Sequence, residues 1–301
     1  MNKMIYQINR IVLLIVLVIT MGLFSACEDV ILVDSGFEKP SVVVDAWINT
    51  SSEPQTITVN WSQDYFDSSR PTGITDARVV VRSGNNVHVF SHTQNGAYVW
   101  TPEQGQSIGS TGDVMDLVIE HQGEVIASQT EIRRVPPIDS ISLVFEEEAL
   151  GIEEGLYGEL YARDFPGIGD TYWIRTYKND TLLNRPQELT IIYDSTFDPG
   201  SGLDGLAFIR PLRLAINPLD EDGLFIPYEA GDHLKVELHS ISNEAFLFLQ
   251  VAQEQMVNGD NSIFSIPVAN ARGNIINTTS GDAVLGMFNV ANVSKAERSV
   301  E

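Results

Sequence analysis

The chain of 301 residues contains a single cysteine, Cys27. One thiol rules out an intramolecular disulfide, so stability has to come from apolar cores, which a hydrophobic content of 43% can supply. Basic residues are also scarce: 18 Lys and Arg stand against 41 Asp and Glu, for a formal charge of −23. Such a surface repels phosphate backbones and excludes nucleic acid as a partner; it also repels an anionic lipid face. Only one long apolar run occurs, Ile11 to Leu23, broken by Thr20 and Gly22. It falls short of the ~20 apolar residues that span a bilayer. There is no HExxH motif, internal repeat or low-complexity stretch.

What is present begins with that apolar run. Lys3 and Arg10 precede it, and Phe24-Ser25-Ala26-Cys27 follows it as a lipobox. Small residues before the cut suit the narrow pocket of a signal peptidase. The Cys27 thiol is then placed to accept diacylglycerol, with palmitate-type acyl chains anchoring the mature protein. Residues 1–26 are expected to be a lipoprotein signal peptide and 27–39 a lipidated tether. Loss of the leader leaves 275 residues and a charge of −25.

Beyond the tether the pattern is that of strands. Ile57, Val59 and Trp61 alternate with Thr58 and Asn60, and similar segments fall at 41–47, 77–82, 87–91, 97–101, 114–120 and 125–131. Turn residues such as Ser83-Gly84-Asn85-Asn86, Asn95-Gly96 and Gln122-Gly123 separate them. Seven short strands in this span predict an immunoglobulin-like sandwich over 40–135, with Trp47 and Trp61 in its core. Pro136-Pro137 reads as a stiff linker. A second β-rich domain is expected over 136–301, with strands at 140–146, 156–163, 172–178, 263–268, 274–279 and 283–290. Leu234, Val236 and Leu238 alternate with His233, Lys235, Glu237 and His239, as in a strand with one solvated face. Ala245, Phe246, Leu249, Ala252 and Met256 recur at helical spacing, which predicts an amphipathic helix near 242–257 capped by Ser242. The expected fold is therefore all-β: two β-sandwich, immunoglobulin-like domains in tandem, the second with one α-helix.

Chemical motifs are weak. Gly105-Gln106-Ser107-Ile108-Gly109 fits G-x-S-x-G, but lies between strands with no helix behind it, so no catalytic residue is expected. His88, His92, His121, His233 and His239 lack the third ligand a zinc site needs and read as histidines on polar faces. Glu146-Glu147-Glu148 and Glu153-Glu154 read as a solvated hairpin loop. Asp194, Asp198, Asp204, Asp220, Glu221 and Asp222 lie in glycine-bearing loops, where Asp220 and Asp222 are weak calcium candidates although the D-x-D-x-D-G pattern is unmatched. No other metal and no cofactor is expected. Trp100 and Trp173, each near a tyrosine, are open candidates for a sugar-stacking platform.

The order of several segments resembles a Bacteroidota lipoprotein family, domain-of-unknown-function family 4249. They are the lipobox with Glu28-Asp29, Ser41-Val-Val-Val-Asp-Ala-Trp-Ile48, Tyr65-Phe-Asp67, Pro136 to Ile141 and Asp170 to Asn179. Leu238 to Phe248, Pro267, Gly273-Asn274-Ile275 and Val284-Leu-Gly-Met-Phe288 complete the set. The resemblance implies association with SusC-type TonB-dependent receptors, and supplies no functional residues. The sequence-level expectation is an outer-membrane lipoprotein facing the exterior, non-catalytic, that binds a TonB-dependent receptor or a glycan or peptide ligand. The alternatives are a hydrolase or glycan-binding protein acting on surface polymers, with paired carboxylates in the 194–222 loops, and a structural or adhesive surface module.

Overall fold

Alternating burial builds seven strands in the first half: β1 (Val42–Asn49), β2 (Gln55–Trp61), β3 (Arg78–Ser83), β4 (Asn86–Gln94), β5 (Ala97–Trp100), β6 (Val114–His121) and β7 (Glu124–Glu131). In β6, Met115, Leu117 and Ile119 are buried while Asp116 and Glu120 point the other way. The computed structural model describes residues 39–64, 67–149, 151–197, 204–210, 212–258 and 270–301. Phe24, Ser25, Ala26, Cys27, nearly all of the tether, Tyr65-Phe66, Asp198 and the strand expected at 263–268 lie outside those residues. All elements named here belong to one unit, residues 39–63 and 67–301.

The second half supplies β8 (Ile138–Glu146), β9 (Gly155–Ala162), β10 (Thr171–Lys178), β11 (Thr181–Leu182), β12 (Thr190–Tyr193) and β13 (His233–Ile241). Helix α1 (Asn243–Asn258) follows, then β14 (Ile275–Asn277), β15 (Ala283–Ala291) and β16 (Val293–Ser299). The expected pair of tandem immunoglobulin-like sandwiches is not what forms. Nine strands close into a barrel in the order β1-β15-β14-β7-β6-β3-β4-β5-β2. Closure comes from β15, which lies parallel to β1 in the register Val43↔Leu285 to Asn49↔Ala291, while β14 joins β15 to β7. The physical reason for the discrepancy is that alternation specifies which face of a strand is buried, not which distant strand it pairs with.

Val44, Ile57, Val81, Leu117, Ile126 and Phe288 are among the side chains that fill the barrel. Trp61 packs at its margin, but Trp47 does not enter it. Trp47 instead meets Trp173 edge-on at 5.4 Å and Phe248 at 6.1 Å, in a separate core with Ile241, Phe246 and Met287.

Asn274 shows how the closing strands are held. Its Nδ2 donates to the Phe288 carbonyl at 2.8 Å and its Oδ1 accepts from the Phe288 N–H at 3.0 Å. One side-chain amide thus takes the place of a backbone pair. Asn274→Ala would leave both groups of Phe288 without that partner, so a loss of about 2 kcal/mol is expected in chemical denaturation.

Strands β11, β10, β13 and β16 form a second sheet, to which β12 adds through β10. Tyr172, Ile174, Leu234, Val236 and Leu238 on its inner face pack against Leu160 and Ala162 of the β8–β9 hairpin and against Phe208, Leu212 and Ile216. The helix forms as its cap predicts: the Ser242 hydroxyl accepts the Ala245 N–H at 3.1 Å. Ala245, Phe246 and Leu249 are buried, whereas Met256 is half exposed, so the apolar stripe ends sooner than its spacing predicts.

Candidate functional site

Among the described residues, apolar side chains pack the barrel interior into one continuous core. The loop after β5 contributes Ile108, which is 1% exposed, to that core. Gly105-Gln106-Ser107-Ile108-Gly109 is part of this loop. Its Ser107 hydroxyl is held by the carbonyls of Thr50 (3.0 Å) and Gly109 (2.8 Å), with no histidine partner. The outer wall carries Arg78, Arg82, Asp116, Glu120 and Glu131, where a membrane-spanning barrel presents an apolar band. Among the described residues, no helix is long and apolar enough to cross a membrane.

The histidines depart from expectation. His88, His121 and His239 are all buried rather than solvated. His88 packs edge-on to Trp100 at 4.6 Å, and burial pushes its imidazole below the usual range. His121 Nδ1 lies 3.1 Å from Asp76 Oδ1. His92 stacks edge-on with Tyr98, and His233 lies 3.6 Å from Glu297. The five are thus dispersed, and no three converge on a metal geometry. Trp100 and Trp173 face His88 and Trp47, so both rings are engaged within the protein.

The face of β13 expected to be solvated is also partly buried. Glu237 and His239 are each 5% exposed, and His239 Nε2 lies 3.0 Å from Glu237 Oε2. Lys295 reaches Glu237 Oε1 at 3.1 Å and also Glu53 at 3.2 Å, while Lys235 stands 3.6 Å from Glu237. Beside them, the Arg175 guanidinium lies 5.0 Å from the Trp173 ring centroid. These contacts join the second sheet to the β1–β2 turn, where Glu53 lies.

Three carboxylates do converge. Asp164, Asp194 and Asp204 bring one oxygen each within 4.8 Å of the others. The sequence pattern singles out Asp194 and Asp204, but not Asp164, which follows β9 in a loop with no ligand motif. Asp164 Oδ1 accepts the Tyr172 hydroxyl at 2.6 Å, and Asp194 Oδ1 accepts the Gly169 and Asp170 N–H groups at 2.8 and 3.0 Å. Asp204 accepts the Gly167 N–H at 2.9 Å. Burial chiefly, and the nearby Asp170 and Asp194 charges, hold the Asp164 carboxyl above its usual range. Adjacent Asp170 is gripped by Arg134 through Nε (3.1 Å) and Nη2 (2.5 Å). An all-oxygen set suits a hard cation. Here each carboxylate already accepts hydrogen bonds from the chain and thereby fastens three loops together. A glycosidase pair has to face a cleft; Asp164 and Asp194 are 2% and 6% exposed.

The calcium candidates Asp220 and Asp222 lie elsewhere. Asp220 Oδ1 accepts the N–H groups of Asp222 (2.9 Å) and Leu224 (2.8 Å), which shapes its turn. That turn, itself closed by a bridge between Leu219 and Phe225, adjoins the β8–β9 hairpin through bridges between Ile152 and Phe225 and between Leu156 and Tyr228. Glu148, Glu153, Glu154 and Asp220 consequently surround a groove of about 440 Å³ floored by Ile152, Leu224 and Phe225. A larger groove of about 920 Å³ beside α1 has both signs of charge, from Arg82, Arg272, Asp116 and Glu244. Of the two, only the hairpin groove has a uniform electrostatic character.

These features define a class: an all-β protein built on a nine-strand barrel with an apolar core. The chain belongs to the family described as domain of unknown function (DUF4249), whose model matches residues 28–297. No curated protein matches it.

Proposed function

We propose that the protein is a lipid-anchored, non-catalytic binding component at the outer membrane, facing the exterior and accessory to a TonB-dependent receptor. The observation that carries the binding role is the apolar core of the barrel: a scaffold whose described interior is packed with side chains such as Val44, Ile57, Leu117 and Phe288 works through its surface. The Phe24-Ser25-Ala26-Cys27 lipobox supports the anchor, and the resemblance to Bacteroidota lipoproteins found beside SusC-type receptors supports the partner. The dispersed histidines and the self-bonded carboxylates support the absence of catalysis.

The test is affinity purification of the tagged chain from native outer membranes. A TonB-dependent barrel is expected in near-equal amount. Recovery of the lipoprotein alone would instead favour a free-standing ligand binder or an enzyme. Cys27→Ser is expected to move the protein from the membrane to the soluble fraction, because removing the acyl chains removes ~0.8 kcal/mol per buried CH₂. Persistence of the variant in the membrane would overturn the anchor.

A further inference from the structure

The hairpin between β8 and β9 and the turn at 219–226 are separated by about seventy residues in sequence, yet they build one surface. Each contributes a run of acids, Glu146 to Glu148 with Glu153-Glu154, and Asp220 to Asp222. Neither 143–162 nor 214–232 contains a single Lys or Arg. The neighbouring cations are engaged: Arg210 pairs with Glu146 and Glu159, and Arg185 donates to the Leu219 carbonyl at 2.5 Å. The Arg185 charge remains beside the turn and Arg210 offsets Glu146, but no Lys or Arg lines the groove itself, so its rim of Glu148, Glu153, Glu154 and Asp220 is net negative.

Charge is only half of the observation. Phe145, Leu224 and Ile226 are 57%, 45% and 36% exposed around this same tip, and Leu224 and Ile226 line the groove itself. The loops that present them are fixed. Ala149 and Ile152 exchange both backbone hydrogen bonds at 3.0 Å, Asp220 N–H donates to the Leu224 carbonyl at 2.9 Å, and the Tyr157 hydroxyl donates to the Glu153 carbonyl at 2.9 Å. A merely solvated loop needs no rigid apolar floor. A docking surface does, because ordering it beforehand lowers the entropy lost on binding. A metal ion does not fit the rim: among the described residues the only carboxylates that converge as a ligand trio are Asp164, Asp194 and Asp204. The rim acids are spread out, as separate ammonium or guanidinium partners require.

We propose that this groove is the docking site for a basic polypeptide segment of the partner in which lysine or arginine alternates with aliphatic residues. The aliphatic side chains fill the Ile152–Leu224–Phe225 floor, and the cations meet Glu148, Glu153, Glu154 and Asp220. The inference rests on the reading of the protein as a binding component, and names where and with what chemistry it binds.

Fluorescence anisotropy on the full chain in a neutral maltoside detergent tests it, with a labelled decapeptide of alternating lysine and leucine. Saturable, salt-weakened binding is expected, with oligolysine at least about tenfold weaker and a glutamate–leucine peptide inactive. Two variants, Leu224→Ser with Ile226→Ser, and Glu148→Gln with Glu153→Gln and Glu154→Gln, should each weaken binding about tenfold or more. Both should leave the melting temperature within a degree or two, since the substituted side chains are exposed or line an open groove. Glu120→Gln with Glu131→Gln on the barrel wall should change nothing. Equal binding by all forms, or no binding, overturns the proposal. A dimer in sedimentation that Leu224→Ser with Ile226→Ser dissolves would also overturn it, by making a second copy the occupant. If the peptide fails while a TonB-dependent barrel still co-purifies, this surface is wrong and the functional reading stands. If the peptide binds while no barrel co-purifies, the surface stands and the receptor association is wrong.

Discussion

Gly286→Ala is expected to abolish accumulation of folded protein, or to cost about 4 kcal/mol or more where any folded protein remains. Gly286 lies in β15 opposite Val44 of β1, in the parallel ladder that closes the barrel. Its φ is +102°, which alone disfavours any side chain. Steric overlap is the larger effect. A Cβ built there would lie 1.9 Å from the Val44 carbonyl oxygen and 2.7 Å from its carbon. Both are backbone atoms in a paired strand, so neither can rotate away, and the two strands would have to separate. Gly273 packs against Gly286 itself, with a Cβ position 1.7 Å from the Gly286 oxygen. Domains of this kind are stable by only ~5–15 kcal/mol, so losing the closing ladder removes much of the margin. Gly84→Ala is the control. It also has positive φ, +55°, but its Cβ would meet nothing within 4 Å, so a cost of about 1 kcal/mol is expected. Circular-dichroism melts of the two variants separate steric overlap from conformational strain; similar losses would refute the closure argument.

The same glycines show what could be read from the sequence and what could not. Gly273-Asn274-Ile275 and Val284 to Phe288 stand out as part of a family pattern, and the structure gives the pattern a cause in barrel closure. Nothing local announces that cause. The seven strands from β1 to β7 were legible because alternation and turn residues are short-range signals, and the Ser242 cap was legible for the same reason. The partnership of β1 with β15 spans about 240 residues and leaves no mark on either segment's own periodicity. β16, Val293-Ser-Lys-Ala-Glu-Arg-Ser299, is hidden in the sequence because an edge strand rich in charged and hydroxyl-bearing positions resembles a tail. The candidate surface was half visible. Each acidic run could be seen, but it is the Ile152–Phe225 and Leu156–Tyr228 bridges that make them one rim.

Burial of Glu237 and His239 is hidden in the same way, and leads to the second large effect. Glu237→Gln is expected to destabilise the protein by roughly 3 kcal/mol at neutral pH. Burial alone would raise the Glu237 carboxyl, but hydrogen bonds from His239 and Lys295, and their proximity, outweigh it and bring the pKa from 4.5 down to about 2. A shift of that size corresponds to roughly 3 kcal/mol at ~1.4 kcal/mol per unit. Glutamine keeps the volume but loses the charge that Lys295, 3.1 Å away, and Lys235, 3.6 Å away, are arranged around. Because the folded pKa is depressed, this contribution is complete above about pH 4.5 and is lost as pH falls toward 2. His239 acts in a different window. Its burial, with Arg175 and Lys295 nearby, outweighs the Glu237 hydrogen bond and holds the imidazole below 6.5, so it stays neutral in the fold. The unfolded chain then binds the proton first, and stability begins to decline as pH drops below 6.5. Thermal melts from pH 8 to pH 3 should therefore show two acid limbs. Glu237→Gln shrinks the lower limb and leaves the part due to Glu159 and Asp232, whose carboxyls, despite burial, are also held below their usual range by their hydrogen-bonded cations. His239→Gln, which can still donate to Glu237, reduces the upper one and leaves the part due to His88, whose imidazole burial also holds low. A wild-type profile flat between pH 6.5 and pH 5 would show that His239 takes up its proton without cost, and that this face of β13 is open to water after all.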